Sequence, residues 1–266
     1  EVYIAGSQLE TALTFGFNDP DDPHDDYEDP EVNVDFSMSV PEALLVNSNE
    51  VMSSKIGEIR MNLRGTIPSN GSLVLRPTLG SECVQLTAQS VWRVTPASVS
   101  AGMELRTHIE GVQASTSLRD VELEAVLVFP DKERVCGRSR LTVIEVGGVI
   151  FFDELDGRPV VAPDSWVPFG LAIFPAAATS LVWTEYDVRH MNEAGEFSGW
   201  QWVGDGDTYT TECGFSPTSR GIWQVRGTVG LKPEGCPHGT DERDTLFGSD
   251  EPAYVYVPRE PRLVFD

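Results

Sequence analysis

The chain has 266 residues, 40% apolar and 23% charged, a composition that supports a packed core and a length that suits two domains of ordinary size. Acids outnumber bases 42 to 19, for a net charge of −23; this argues against nucleic acid as a partner, because a phosphate backbone is held by Lys and Arg clusters. No apolar run reaches the ~18–20 residues of a membrane-spanning helix, and 24 glycines with 18 prolines favour turn-rich β structure over long helices.

The charge is uneven. Residues 1–31 hold ten acids and no base. Within them, Asn18–Asp29 carries seven acids and two prolines. Like charges repel and proline blocks regular pairing, so this run reads as an extended linker. The sharper alternative is a Ca²⁺ site on Asp19, Asp21, Asp22, Asp25 and Asp26, since a hard cation takes several carboxylate oxygens; the run lacks the EF-hand spacing and its glycine. No other cofactor is expected. The apolar stretch Leu9–Phe17 reads as a strand on a tether, able to add to a sheet edge of its own domain or of a neighbouring copy.

Strand patterning starts directly after the acidic run. Val32, Val34, Phe36, Met38 and Val40 alternate with polar or small residues, and Ile59, Met61 and Leu63 repeat the pattern. Asn70-Gly71 predicts a hairpin leading into Leu73–Leu75; the turn also explains the Asn70-Gly-Ser72 sequon. Val84–Leu86, then Met103, Leu105, Thr107 and Ile109, then Val121, Leu123, Ala125, Leu127 and Phe129 continue the series as far as Leu141–Val143. Gly147-Gly148 predicts the boundary between a domain at 32–147 and a second at 148–266. The second domain offers Val149–Phe152, Phe169–Phe174, Leu181–Val188, Gly199–Val203, Ile222–Val229 and Tyr254–Val257, with a hairpin turn at Asn192–Gly195. Nowhere does an apolar helical period persist over three turns.

Four cysteines, Cys83, Cys136, Cys213 and Cys236, fall two to each half without a CxxC pair. Three pairings exist, and the simplest is Cys83–Cys136 with Cys213–Cys236, which suits an oxidising compartment; four free thiols are the alternative. A first residue other than Met fits a processed export leader or a trimmed chain.

Catalytic signatures are missing: there is no GxSxG, HExxH, P-loop or dinucleotide glycine fingerprint. The four histidines are scattered, and His108 falls in an alternating strand. An enzyme is therefore not expected. Tryptophan is the conspicuous feature, with Trp166, Trp183, Trp200, Trp202 and Trp223 all in the second half. Trp183 and Trp223 lie in apolar strands and read as core. Trp200 and Trp202 share a face at period two beside Gly204–Asp207, as core or interface packing or as an exposed platform for a sugar.

Residues 105–146, with Ile109-Glu-Gly-Val112, Ser117-Leu-Arg-Asp-Val121 and Cys136 shortly before the last strand, resemble an uncharacterised β-module of large exported bacterial proteins. In the second half, Trp200-Gln-Trp-Val-Gly-Asp-Gly-Asp207 and Gly221-Ile-Trp-Gln-Val-Arg-Gly-Thr-Val229 resemble the Gly-Asp-Gly and Gly-x-aromatic-x-Val pattern of PKD-type Ig-like domains, except that Val203 separates the aromatic from Gly-Asp-Gly. The first resemblance implies an exported bacterial repeat-type module and the second supports an Ig-like sandwich; with the strand spacing and the charge distribution, the expected fold is an all-β protein of two tandem Ig-like β-sandwiches behind an acidic N-terminal arm. The expected role is a non-catalytic extracellular or cell-surface protein in adhesion or assembly, with a protein partner or further copies of itself. The alternative is a carbohydrate-binding module using Trp200 and Trp202.

Overall fold

The computed structural model describes residues 32–46, 56–152, 159–205, 212–232, 247–248 and 253–258. The N-terminal arm, including Leu9–Phe17 and the Asp19, Asp21, Asp22, Asp25 and Asp26 group, lies outside the described residues, as does Cys236. The protein is all-β, built of antiparallel sheets. Its described residues divide into two compact units, with the main division between Val143 and Ile144. Gly147-Gly148 does not break the chain there: both lie within one long strand, Glu133–Phe151.

Unit 1 is made of two sheets. Strands β1 (Asn33–Ser39), β3 (Ile56–Thr66), β7 (Met103–Gly111) and β5 (Val84–Leu86) pair in the order β1-β3-β7-β5. The second sheet holds β6 (Val91–Val94), β4 (Gly71–Leu79), β8 (Val121–Val128) and residues 133–143 of β9 (Glu133–Phe151), in that order. The short strand β2 (Ala43–Val46) pairs with β9. Alternation fixes the inward faces. Ile59, Met61 and Leu63 of β3, Leu105 and Ile109 of β7, Leu73 and Leu75 of β4, and Leu123 and Leu127 of β8 are buried. Phe36 of β1 lies on Gly137 of β9, where an added Cβ would come within 2.8 Å of the ring; glycine is what lets the two sheets close at that point. The chain's one described α-helix, α1 (Pro96–Ala101), starts at a capping box in which Thr95 and Ser98 exchange side-chain-to-backbone hydrogen bonds.

The Asn70-Gly71 expectation needs correction. β3 and β4 do not pair; they belong to different sheets, so the segment crosses between layers. Gly71 instead begins β4 opposite Val94, where an added Cβ would meet the Val128 carbonyl at 2.6 Å. The residue serves a close approach between backbones as well as a turn.

On the outer face of the second sheet, Glu122 and Glu124 of β8 stand in register with Arg140 and Arg138 of β9. Arg138 pairs with Glu124 at 2.7 Å and Arg140 with Glu122 at 2.8 Å, while Arg76 of β4 reaches Glu124 from the other side at 3.2 Å. The Arg140 guanidinium holds the Glu122 carboxyl below the usual carboxylate range. These cross-strand pairs explain how acids can alternate within an apolar strand.

The expected Cys83–Cys136 bridge does not form, and the partner expected for Cys213, Cys236, lies outside the described residues. Cys83, Cys136 and Cys213 are free thiols. Cys83 enters β5 at one end of the first sheet, whereas Cys136 sits on β9 in the second sheet. Each thiol turns to a backbone carbonyl close by, Cys83 to Ala114 and Cys136 to Arg134. Burial pushes the Cys136 thiol up to about 11.

Thr107 of β7 points into the unit 1 core, where its hydroxyl has no hydrogen-bond partner among the described residues. A buried hydroxyl without a partner carries a desolvation cost of about 1–3 kcal/mol. Thr107→Val keeps the shape and removes that cost. It is expected to raise stability by about 1 kcal/mol, read as a higher denaturation midpoint at unchanged m-value.

Unit 2 opposes residues 144–151 of β9, β10 (Val167–Phe174) and β13 (Glu212–Phe215) to a sheet built on β11 (Val182–His190) and β14 (Gly221–Leu231). A 3₁₀ turn at Ala176–Leu181 connects β10 to β11. β12 (Gln201–Asp205) flanks β11, while β15 (Phe247–Gly248) and β16 (Ala253–Val257) both pair with β14. The core between the layers is aromatic. Phe169 of β10 meets Tyr186 of β11 edge-on at 5.1 Å and Phe215 of β13 at 6.0 Å. Phe215 in turn lies 5.5 Å from Trp223, whose indole N–H donates to the Ser219 carbonyl. Leu171 of β10 packs on Gly227 of β14, leaving no room for a Cβ there. The Leu171 N–H donates to the buried Tyr186 hydroxyl oxygen at 3.0 Å, which ties the two layers together.

Candidate functional site

The outer face of the β12-β11-β14-β16 sheet in unit 2 gathers the side chains with most to offer a ligand. On β11 the burial pattern alternates strictly: Val182, Thr184, Tyr186 and Val188 face the core. Trp183, Glu185, Asp187 and Arg189 therefore face outward. This corrects the expectation for Trp183, which covers Gly230 on the outer face instead of filling the core. Trp223 is in the core as expected.

Register aligns the outward residues into rows. Arg189 lies opposite Gln224 of β14, which lies opposite Tyr254 of β16. Asp187 lies between Trp202 of β12 and Arg226 of β14. Glu185 lies between Asp205 and Thr228. Trp200 enters the face just before β12, after the Asn192–Gly195 turn. There Asn192 Oδ1 accepts from the Ala194 and Glu196 amides and Gly195 takes a φ of +82°.

Two arginines and two aromatic rings interleave on this face. The Arg189 guanidinium sits 4.5 Å from the Phe197 ring centroid and 4.3 Å from that of Trp200. Arg226 sits 4.4 Å from the Trp200 centroid. Each contact is worth about 0.5–2 kcal/mol, depending on how dry it is. Arg226 is neutralised by Asp187, its Nε and Nη2 both reaching Oδ2, at 3.0 and 2.9 Å. Arg189 Nε donates to Gln224 Oε1 at 2.6 Å. Trp200 is thus half-buried by stacking, whereas Trp202 is 63% exposed.

A bulge decides where Trp202 points. Tyr186 pairs with Gly204, but Asp187 pairs with Trp202, so Val203 is the extra residue. Had the ladder continued regularly, Trp202 would lie opposite Val188 and face the core. Of the two expected platform residues, then, the structure puts both on one face and leaves Trp202 open. The partners Arg189, Asp187, Gln224 and Arg226 were not anticipated. Their alternation with Tyr186, Val188, Trp223 and Val225 was the available signal.

The opposite sheet of unit 2 has a different surface, where Trp166, Phe174, Ile150 and Phe152 are all exposed. Trp166 covers Gly214. Among the described residues no group of three His, Cys, Asp or Glu side chains stands close enough to hold a metal ion, and no helix is long and apolar enough to cross a membrane.

No protein-family model matches the chain. No curated protein matches it in sequence.

Proposed function

We propose that this chain is a non-catalytic binding component of an exported bacterial protein, built of Ig-like modules, and that the outer β12-β11-β14-β16 face contacts carbohydrate. One observation carries the reading: Trp202 lies open on the outer sheet face, flanked by side chains that donate and accept hydrogen bonds. An indole presented this way offers a sugar ring an apolar plane, and the surrounding polar groups orient its hydroxyls. Export rests on the resemblance of residues 105–146 to a module of exported proteins. The free thiols give it no help, since no bridge forms among the described cysteines.

Trp202→Ala is expected to weaken binding on a glycan array and in titration by at least ~10-fold, in keeping with the loss of one stacking residue, with an unchanged melting temperature. Silence of the wild-type protein on a broad array would overturn the carbohydrate reading. The exposed Trp166 and Phe174 favour a second reading, assembly through the opposite sheet. Its sign would be a sedimentation coefficient that rises with concentration and stops rising in Trp166→Ser.

A further inference from the structure

Arg189 and Arg226 occupy the same face but differ in their electrical surroundings. The Asp187 carboxylate satisfies Arg226 through two of its nitrogens. Arg189 has only the neutral amide oxygen of Gln224, and no carboxylate lies in ion-pair range of it among the described residues. Its guanidinium is held in place by Phe197 and Trp200. A stacked guanidinium has little rotamer freedom left to lose, and its remaining N–H groups match the geometry of a carboxylate. With no described carboxylate in ion-pair range, those N–H groups can take an anion from outside.

The rest of the face sets the orientation. Trp202 lies two residues beyond Trp200, about 7 Å along a strand, next to the neutralised Asp187–Arg226 pair. Glu185 and Asp205 pair at the far end. The face therefore runs from a cationic end, past an open indole, to an anionic end. A sugar ring stacked on Trp202 would have its carboxylate at Arg189 and its hydroxyls donating toward Glu185 and Asp205. We infer that this face selects carboxylate-bearing sugars, of the uronic acid class, with Arg189 as the residue that reads the carboxylate; the inference rests on the carbohydrate reading above. The chain's overall charge of −23 repels anions at long range, but physiological salt screens such repulsion beyond about 8 Å. The selectivity therefore arises at contact.

The test compares two forms of one ligand on the full chain at physiological ionic strength: oligogalacturonate, and the same oligomer fully methyl-esterified, by calorimetric titration. The free acid is expected to bind at least ~10-fold more tightly, as a charge-assisted hydrogen bond allows. Arg189→Gln should close that gap while weak binding of the ester persists, and Trp202→Ala should weaken both. Equal affinity of the wild-type chain for acid and ester would overturn the carboxylate inference and leave the carbohydrate reading standing. A wild-type chain that binds neither oligomer, nor any glycan on an array, would overturn both. Tighter binding of a short Asp/Glu peptide than of either oligomer would overturn the ligand class. The comparison of acid with ester uses the unaltered protein, so a folding defect in Arg189→Gln cannot rescue the inference.

Discussion

Phe169→Ala is expected to remove about 3–5 kcal/mol of stability from unit 2, enough to consume much of the 5–15 kcal/mol by which a domain ordinarily exceeds its unfolded state. The ring is fully buried and makes edge contacts with Tyr186, Phe215 and Phe151 at 5.1, 6.0 and 6.3 Å. It sits on β10 and reaches β11, so its loss opens a void between the two layers. Neighbours pinned by a backbone hydrogen bond, such as Tyr186, relax little into such a void. Tryptophan fluorescence in urea reads the change, because Trp92 is the one tryptophan of unit 1 and the other five lie in unit 2. A midpoint shift equivalent to less than about 1 kcal/mol would show that the layers are not held together by this cluster.

Alkali is expected to destabilise the protein well before its backbone chemistry is affected. Burial raises the Cys136 thiol from 9.0 to about 11 and the Tyr186 hydroxyl from 10.0 to about 12. Burial raises Cys83 and Cys213 in the same direction. Each group is neutral when protonated, and the fold accommodates that form. In the unfolded chain each ionises at its ordinary value. Above pH 9 the unfolded state therefore holds fewer protons than the native one, and stability falls as pH rises. The contribution is fully present below pH 9 and lost between about pH 9 and 12, reaching about 2–3 kcal/mol each for Cys136 and Tyr186. Urea midpoints measured from pH 7 to 11.5 should decline accordingly. Tyr186→Phe with Cys136→Ala should flatten that decline, even though Tyr186→Phe alone costs about 1 kcal/mol at pH 7 by removing the bond from Leu171. A slope unchanged by the double variant would place the alkaline sensitivity elsewhere.

The strands were legible because one-sided burial imprints a period of two on the sequence. Val34, Phe36 and Met38 of β1 and Ile59, Met61 and Leu63 of β3 carry that imprint without ambiguity. Which sheet a strand joins was not legible. Asn70-Gly71 is a sound local signal for reversal, but whether the chain reverses within a layer or crosses to the other depends on what β4 finds, namely β6 and β8. Parity was hidden in the same way at Trp183. An apolar side chain gives no sign of the face it takes until Gly230, 47 positions later, is known to lie under it. The cysteine count carried no distances, so the placement of Cys83 and Cys136 in different sheets could not be read from it. The Phe197, Arg189, Trp200 and Arg226 stack was beyond sequence reading for a related reason: Arg189 and Arg226 become neighbours only through the β11–β14 register.

Val203 has a bearing on how such a face is kept. Because it is looped out of register, the chain keeps Gly204 toward the core, where an added Cβ would meet Cys213 Sγ at 3.2 Å, while Trp202 turns outward. Without Val203 the ladder would run regularly from Gly204 to Trp202, and the indole would still stand opposite Asp187 and face outward. The bulge therefore absorbs one residue of extra strand length at Val203 itself and passes none of it on to the hairpin side or to the Gly204 packing. What would bury Trp202 is a slip of register that gave Val203 a regular place in the ladder. Display of the indole on this sheet thus depends on where an added residue is accommodated, and not on the number of residues in the strand.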